Sequence, residues 1–119
     1  MTYNIDVGTL STTPTLITTT TVTDVYHAKK STTILSVVAA NYDAGSVNYT
    51  LELYDTANTT SYYLYKTSSI SAHSREIYSE PFVLKSGWKL RVTAATANKL
   101  TMLVTYCQPD ATALRQMGS

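Results

Sequence analysis

The stretch Val47-Asn48-Tyr49-Thr50-Leu51-Glu52-Leu53-Tyr54 decides the fold. Val47, Tyr49, Leu51 and Leu53 fall on one side of an extended chain, and Asn48, Thr50, Glu52 and Tyr54 on the other. That period of two belongs to a half-buried β-strand and is incompatible with an amphipathic helix, whose apolar positions recur every three to four residues. An inner face and an outer face are therefore named by inspection.

Working outward, the same alternation recurs. Trp88, Leu90, Val92 and Ala94 alternate with Lys89, Arg91 and Thr93, and Leu100, Met102, Val104 and Tyr106 with Thr101, Leu103, Thr105 and Cys107. Trp88 heads its strand and is expected in the core. Residues 33–40 are more continuously apolar, with Ile34, Leu35, Val37, Val38, Ala39 and Ala40, as expected of a central strand. Residues 15–26, 62–67 and 75–84 complete the set. Turn chemistry separates the runs: Asp43-Ala44-Gly45-Ser46, the polar loop 55–61, and breaks at 68–74, 85–87 and 95–98. The first two predict hairpins. About eight short strands with ordinary connections predict an all-β chain, a single antiparallel β-sandwich of jelly-roll or immunoglobulin-like type.

The ends read differently. Residues 9–23 are dense in Thr, with Pro14 among them; Thr favours extended backbone, yet the segment has few apolar groups to bury. It is expected as an edge strand or an arm. After Pro109 the alternation stops. The expected organisation is an N-terminal arm over 1–14, the sandwich over 15–107 and a tail over 108–119.

Bulk composition narrows the function. The 119 residues include 22 Thr and 12 Ser, and carry a net charge of only +1 with charged residues at 14%. Nine basic residues scattered along the chain supply no field for a phosphate backbone, so no nucleic-acid partner is expected. No secretory signal and no membrane-spanning run is expected either. A single cysteine, Cys107, leaves no internal disulfide to form, which fits synthesis in a reducing cytoplasm.

Catalytic and metal chemistry find little to build on. His27 and His73 are the only histidines, and Asp24 and His27, three apart, are expected on opposite faces of a strand. His73-Ser74 lies in an expected loop with no nucleophile elbow, and four glycines make no phosphate loop. Cys107 has no basic neighbour in sequence to activate it. No enzyme activity, metal or cofactor is expected.

Association is a better use of these residues. Edges of short strands are blunted by Lys, Pro or inward charge in proteins that stay monomeric, and this chain has little charge to spend there. Tyr62, Tyr63 and Tyr65 sit so close that a strand must expose at least one, and Tyr provides contact area with little entropy to lose. The expected interface residues are Thr12, Thr13, Pro14, Thr15, Thr18, Thr20, Tyr62, Tyr63 and Tyr65. A row of Tyr62, Tyr63, Tyr65 and Trp88 is the alternative use, as a sugar-binding platform of an adhesin-like module.

The segment Pro81-Phe82-Val83-Leu84-Lys85-Ser86-Gly87-Trp88-Lys89-Leu90-Arg91-Val92-Thr93-Ala94, then Ala97-Asn98 and the closing strand from Leu100 to Tyr106, resembles small virion proteins of tailed bacteriophages. Residues 20–26 look like the opening strand of that pattern and 33–41 like the next. The chain departs from it where Trp88 follows Gly87, a place members often give to Asp. The resemblance implies a β-sandwich on the outside of a phage particle, a head decoration protein or a neck or tail accessory protein. It implies other virion subunits and further copies of itself as partners.

Overall fold

The computed structural model describes residues 8–109. Among the described residues there are nine strands and no helix: β1 (Gly8–Ile17), β2 (Thr23–His27), β3 (Thr32–Asn41), β4 (Val47–Asp55), β5 (Thr60–Ile70), β6 (Arg75–Tyr78), β7 (Phe82–Leu84), β8 (Lys89–Ala94) and β9 (Leu100–Pro109). Sheet A runs β1-β9-β3-β6, with β7 beside β6 along the same edge of β3; sheet B runs β2-β8-β4-β5. Every pairing is antiparallel.

The order resolves the two sandwich types. An immunoglobulin-like sandwich keeps several sequential strands paired in one sheet, whereas among the described strands β4–β5 is the sole paired hairpin. Apart from β6–β7, the remaining connections pass from one sheet to the other. The first and last strands of the described region pair at one edge of sheet A, as in the double Greek key of a jelly roll.

Three expectations are corrected. Residues 15–26 are not one strand: β1 ends at Ile17 and β2 begins at Thr23, in the other sheet. The reason lies in Thr18–Thr21, which offer the core nothing after Ile17, while Thr19 Oγ1 accepts from the Thr21 amide at 3.2 Å and meets Thr21 Oγ1 at 2.9 Å to turn the chain. Residues 43–46 make no hairpin but carry the chain from sheet A to sheet B. Buried Asn41 holds that corner, donating from Nδ2 to the carbonyls of Gly45, Ile70 and Ser71 and accepting from the Asp43 amide at Oδ1. Residues 75–84 divide into β6 and β7, while β5 continues to Ile70 through the expected break, its Thr67 held at a φ of 53° at an irregular register.

The expected arm also changes character. β1 pairs with β9 along its whole length, from Gly8 opposite Pro109 to Ile17 opposite Leu100, so residues 8–14 are part of the sandwich. Gln108 and Pro109 likewise continue β9. The rest of the expected arm and tail lies outside the described residues.

The core is the space between the sheets. Leu51, Leu90, Val92, Leu100, Met102 and Val104, all inner by alternation, are fully buried, joined by Ile17, Ile34, Val37 and Leu84. Truncating a leucine here to alanine costs about 2–5 kcal/mol, since the lost contacts leave a cavity the strands cannot close. Trp88 packs against this core from its margin without being fully buried. It precedes β8, half-buried, after Gly87 turns at a φ of 87° that favours a residue without a Cβ.

Candidate interaction surfaces

The two outer faces differ in kind. Sheet B carries charge: Glu52 and Arg91 stand opposite each other on β4 and β8, with Arg91 Nη2 donating to Glu52 Oε2 at 3.0 Å. The guanidinium also lies 3.7 Å from the centre of the Tyr54 ring. Beside them Lys89 pairs with Asp24 at 3.0 Å. A bulge at Val25 resets the alternation of β2, so Asp24 faces Arg91 and His27 faces Lys89, on one side of the strand. The expectation that Asp24 and His27 point apart is thus corrected. Among the described residues no three of His, Cys, Asp and Glu cluster as metal ligands would.

Sheet A is different because β1, β3, β7 and β9 contain no charged residue. β6 alone brings charge, as Arg75 at a corner and Glu76, which turns inward. The register lines up side chains across the outer face. Pro14, Leu103, Val38 and Ile77 form one continuous apolar row over β1, β9, β3 and β6. Leu10, Cys107, Thr33 and Val83 form a mixed row, Thr12, Thr105 and Ser36 a hydroxyl row beside it, and Leu16, Thr101, Ala40 and Arg75 a row that ends in charge. Leu10, Leu16, Ile77 and Val83 are exposed by 66, 47, 48 and 60%. β1 is inverted relative to an ordinary edge strand: Leu10, Pro14 and Leu16 face outward, while Ser11, Thr13 and Thr15 face the sandwich interior, half-buried.

Aromatic side chains close the seam between the sheets rather than forming a platform. Tyr65 of β5 meets Tyr49 at 6.0 Å and Tyr78 at 5.6 Å between ring centres, and Tyr78 meets Phe82 at 5.9 Å. Tyr49 donates its hydroxyl to Glu76 across the sheets, and Ser68 donates to the same carboxylate at 3.1 Å. Burial first, then Glu76, raises the Tyr49 phenol well above its ordinary range. Burial also raises Tyr65.

The expected interface residues therefore separate. Thr12 and Pro14 lie on the outer face of sheet A, where Thr12 Oγ1 meets Thr105 Oγ1 at 3.1 Å. Thr13 and Thr15 turn inward, and Thr18 and Thr20 sit exposed between β1 and β2. Tyr63 is half exposed beneath the Lys66 ammonium, while Tyr62 stacks on Trp88 with planes 2° apart and Lys85 over the indole. Tyr65 belongs to the seam. Of the four aromatics of the alternative sugar platform, Tyr62 and Trp88 cover one face of each other and Tyr65 lies in the seam. A shallow cleft of about 220 Å³ opens elsewhere, lined by hydroxyls of Thr20, Thr50, Thr67 and Thr93 and by the apolar Ala94 and Ala95.

Fold and surfaces together define a jelly-roll sandwich with one charged side and one side whose charge is confined to Arg75 at its corner. No protein-family model and no curated protein matches the chain. Among solved structures it is similar to a chain in "Structure of infectious bursal disease virus Gx strain", at a TM-score of 0.43 and 10% identity, over 91% of this chain and 37% of that one. This chain thus spans a little over a third of that relative's length.

Proposed function

We propose that the chain is a non-enzymatic structural protein of a tailed-bacteriophage virion, a head decoration protein that cements the shell through contacts repeated by symmetry. The observation that carries this reading is the outer face of sheet A, crossed by the apolar row Pro14, Leu103, Val38 and Ile77 and ending in the charge-free edge strand β1. Contiguous apolar surface on a protein in water marks a place of association. Repetition on a symmetric shell turns modest contacts into firm attachment through avidity. The resemblance of residues 81–106 to phage virion proteins supports the particle as the setting. Other virion subunits and further copies of the chain are the partners, the virion is the location, and no cofactor is used.

Immunogold electron microscopy tests it. An antiserum against the chain, applied to virions purified from the source that encodes it, is expected to label heads. Label confined to necks or tails selects the accessory-protein reading of the same family. Unlabelled particles overturn the proposal.

A further inference from the structure

We infer that two copies of this chain pair face to face through the outer surfaces of sheet A, about a two-fold axis. The inference rests on the reading of that surface as the one used in assembly and names what covers it. Charge selects the occupant. A partner carrying ionised groups onto this face would bury them unpaired, because β1, β3, β7 and β9 offer no counter-charge, and an unpaired buried charge is strongly unfavourable. The occupant must present an uncharged face of its own.

A second copy does so by construction. A two-fold arrangement sets the same patch against itself, so a face of apolar and hydroxyl side chains meets another that brings no charge from β1, β3, β7 or β9. The row of Pro14, Leu103, Val38 and Ile77 lies at the centre, and Arg75 stays at the rim in water. A net charge of +1 per chain adds little repulsion. Three strands of ten residues, β1, β9 and β3, with the four of β6 and three of β7 beside them, spaced about 4.8 Å apart at ~3.3 Å per residue, give roughly 600 Å² before side-chain relief is counted. That approaches the ~800 Å² each partner contributes to a standard stable interface. Sheet B, with its ion pairs, is left to face solvent or other subunits on both sides of the pair.

Light scattering coupled to size-exclusion chromatography on the full chain tests this. The expected mass is twice 13.1 kDa, falling toward the monomer on dilution. Ile77→Lys with Val83→Lys, two exposed positions on the face, is expected to weaken the dimer by at least ~100-fold with an unchanged circular dichroism spectrum. Thr93→Lys, on sheet B, leaves the dimer intact. A wild-type monomer at ~100 μM overturns the inference, as does a dimer that survives the double substitution. Gold labelling of virions is read separately: a monomer that labels heads ends this pairing alone, and a dimer absent from every virion ends the virion reading alone.

Discussion

Glu52 and Arg91 are direct cross-strand partners on the solvent side of sheet B, yet their side chains are only 7% and 19% exposed. Neighbouring side chains, with the Tyr54 ring against the guanidinium, shield the pair, so it behaves as a partly desolvated bridge. Breaking such a pair strands a charge. Glu52→Gln or Arg91→Met is expected to cost about 3 kcal/mol, the lower end for a buried bridge because Arg91 keeps some contact with water. The double variant Glu52→Leu with Arg91→Met regains most of that. Urea unfolding of the three variants measures it; equal losses in all three refute the shielding.

Tyr49 predicts an alkaline limb. Its phenol is raised in the folded chain above the unfolded value of 10.0, first by burial and then by Glu76. Stability from the neutral hydroxyl is therefore complete below pH 10 and declines as pH rises beyond it. Tyr49→Phe is expected to lose about 1.5 kcal/mol at pH 7, for a hydrogen bond to a charged group, and to show a shallower fall between pH 9 and 11. Thermal melts across that range follow both effects. A small limb persists through Tyr65, raised in the same direction.

Asp55 predicts the acid side. Its carboxylate is lowered below 3.8 chiefly by the Asn58 side chain, with burial opposing, and it also receives the Ala57 and Asn58 amides. Its stabilisation is present above pH 3.8 and is lost as pH falls through the lowered value. Asn58→Ala is expected to move the acid unfolding midpoint upward, and Asp55→Ala to flatten the acid dependence while weakening the β4–β5 hairpin. Circular dichroism between pH 2 and 6 reads both.

Asn41 predicts the strength of the β3–β4 corner. Asn41→Ala leaves the Ile70 carbonyl without this buried donor and frees the Asp43 amide, at an expected 2–3 kcal/mol. Asn41→Asp, which keeps the acceptor and loses the amide donors, is expected to lose about as much. Denaturant midpoints with unchanged m-values confirm a local effect.

Truncation of residues 1–15 tests β1. Ser11, Thr13 and Thr15 contribute hydroxyls to the interior, and Ile17 is the strand's fully buried side chain, so the shortened chain is expected to keep its core. It uncovers the charge-free edge of β9, however, and is expected to associate more than the full chain. Sedimentation velocity distinguishes this from a chain whose aggregation follows unfolding.

Much of the fold was legible because one face of each strand is buried. Leu51, Leu90, Val92, Met102 and Val104 alternate with polar groups, and that alternation holds wherever the strand ends up. It carries no information about which sheet a strand joins. The corner at Asn41 and the break after Ile17 depend on side chains bonding to backbone atoms distant in sequence or folded back locally, and the bulge at Val25 shifts faces without altering composition. The surfaces were less legible. Thr12 and Pro14 were readable as edge residues, but the row through Leu103, Val38 and Ile77 exists only through the register of four strands. Continuous apolarity in residues 33–40 reads as burial on both sides, whereas Val38 and Ala40 are only half-buried. Leu10 and Leu16 were hidden among threonines.

The weave of the strands has a temporal consequence. With β4–β5 as the sole hairpin, no sheet can be completed until segments far apart along the chain have met, and β1 waits for β9. Such topologies fold in milliseconds to seconds rather than microseconds. During that interval the nascent polypeptide displays sticky, neutral ribbons whose final neighbour has not yet been synthesised. Synthesis order thus makes the last strand the gatekeeper between a finished subunit and premature clumping.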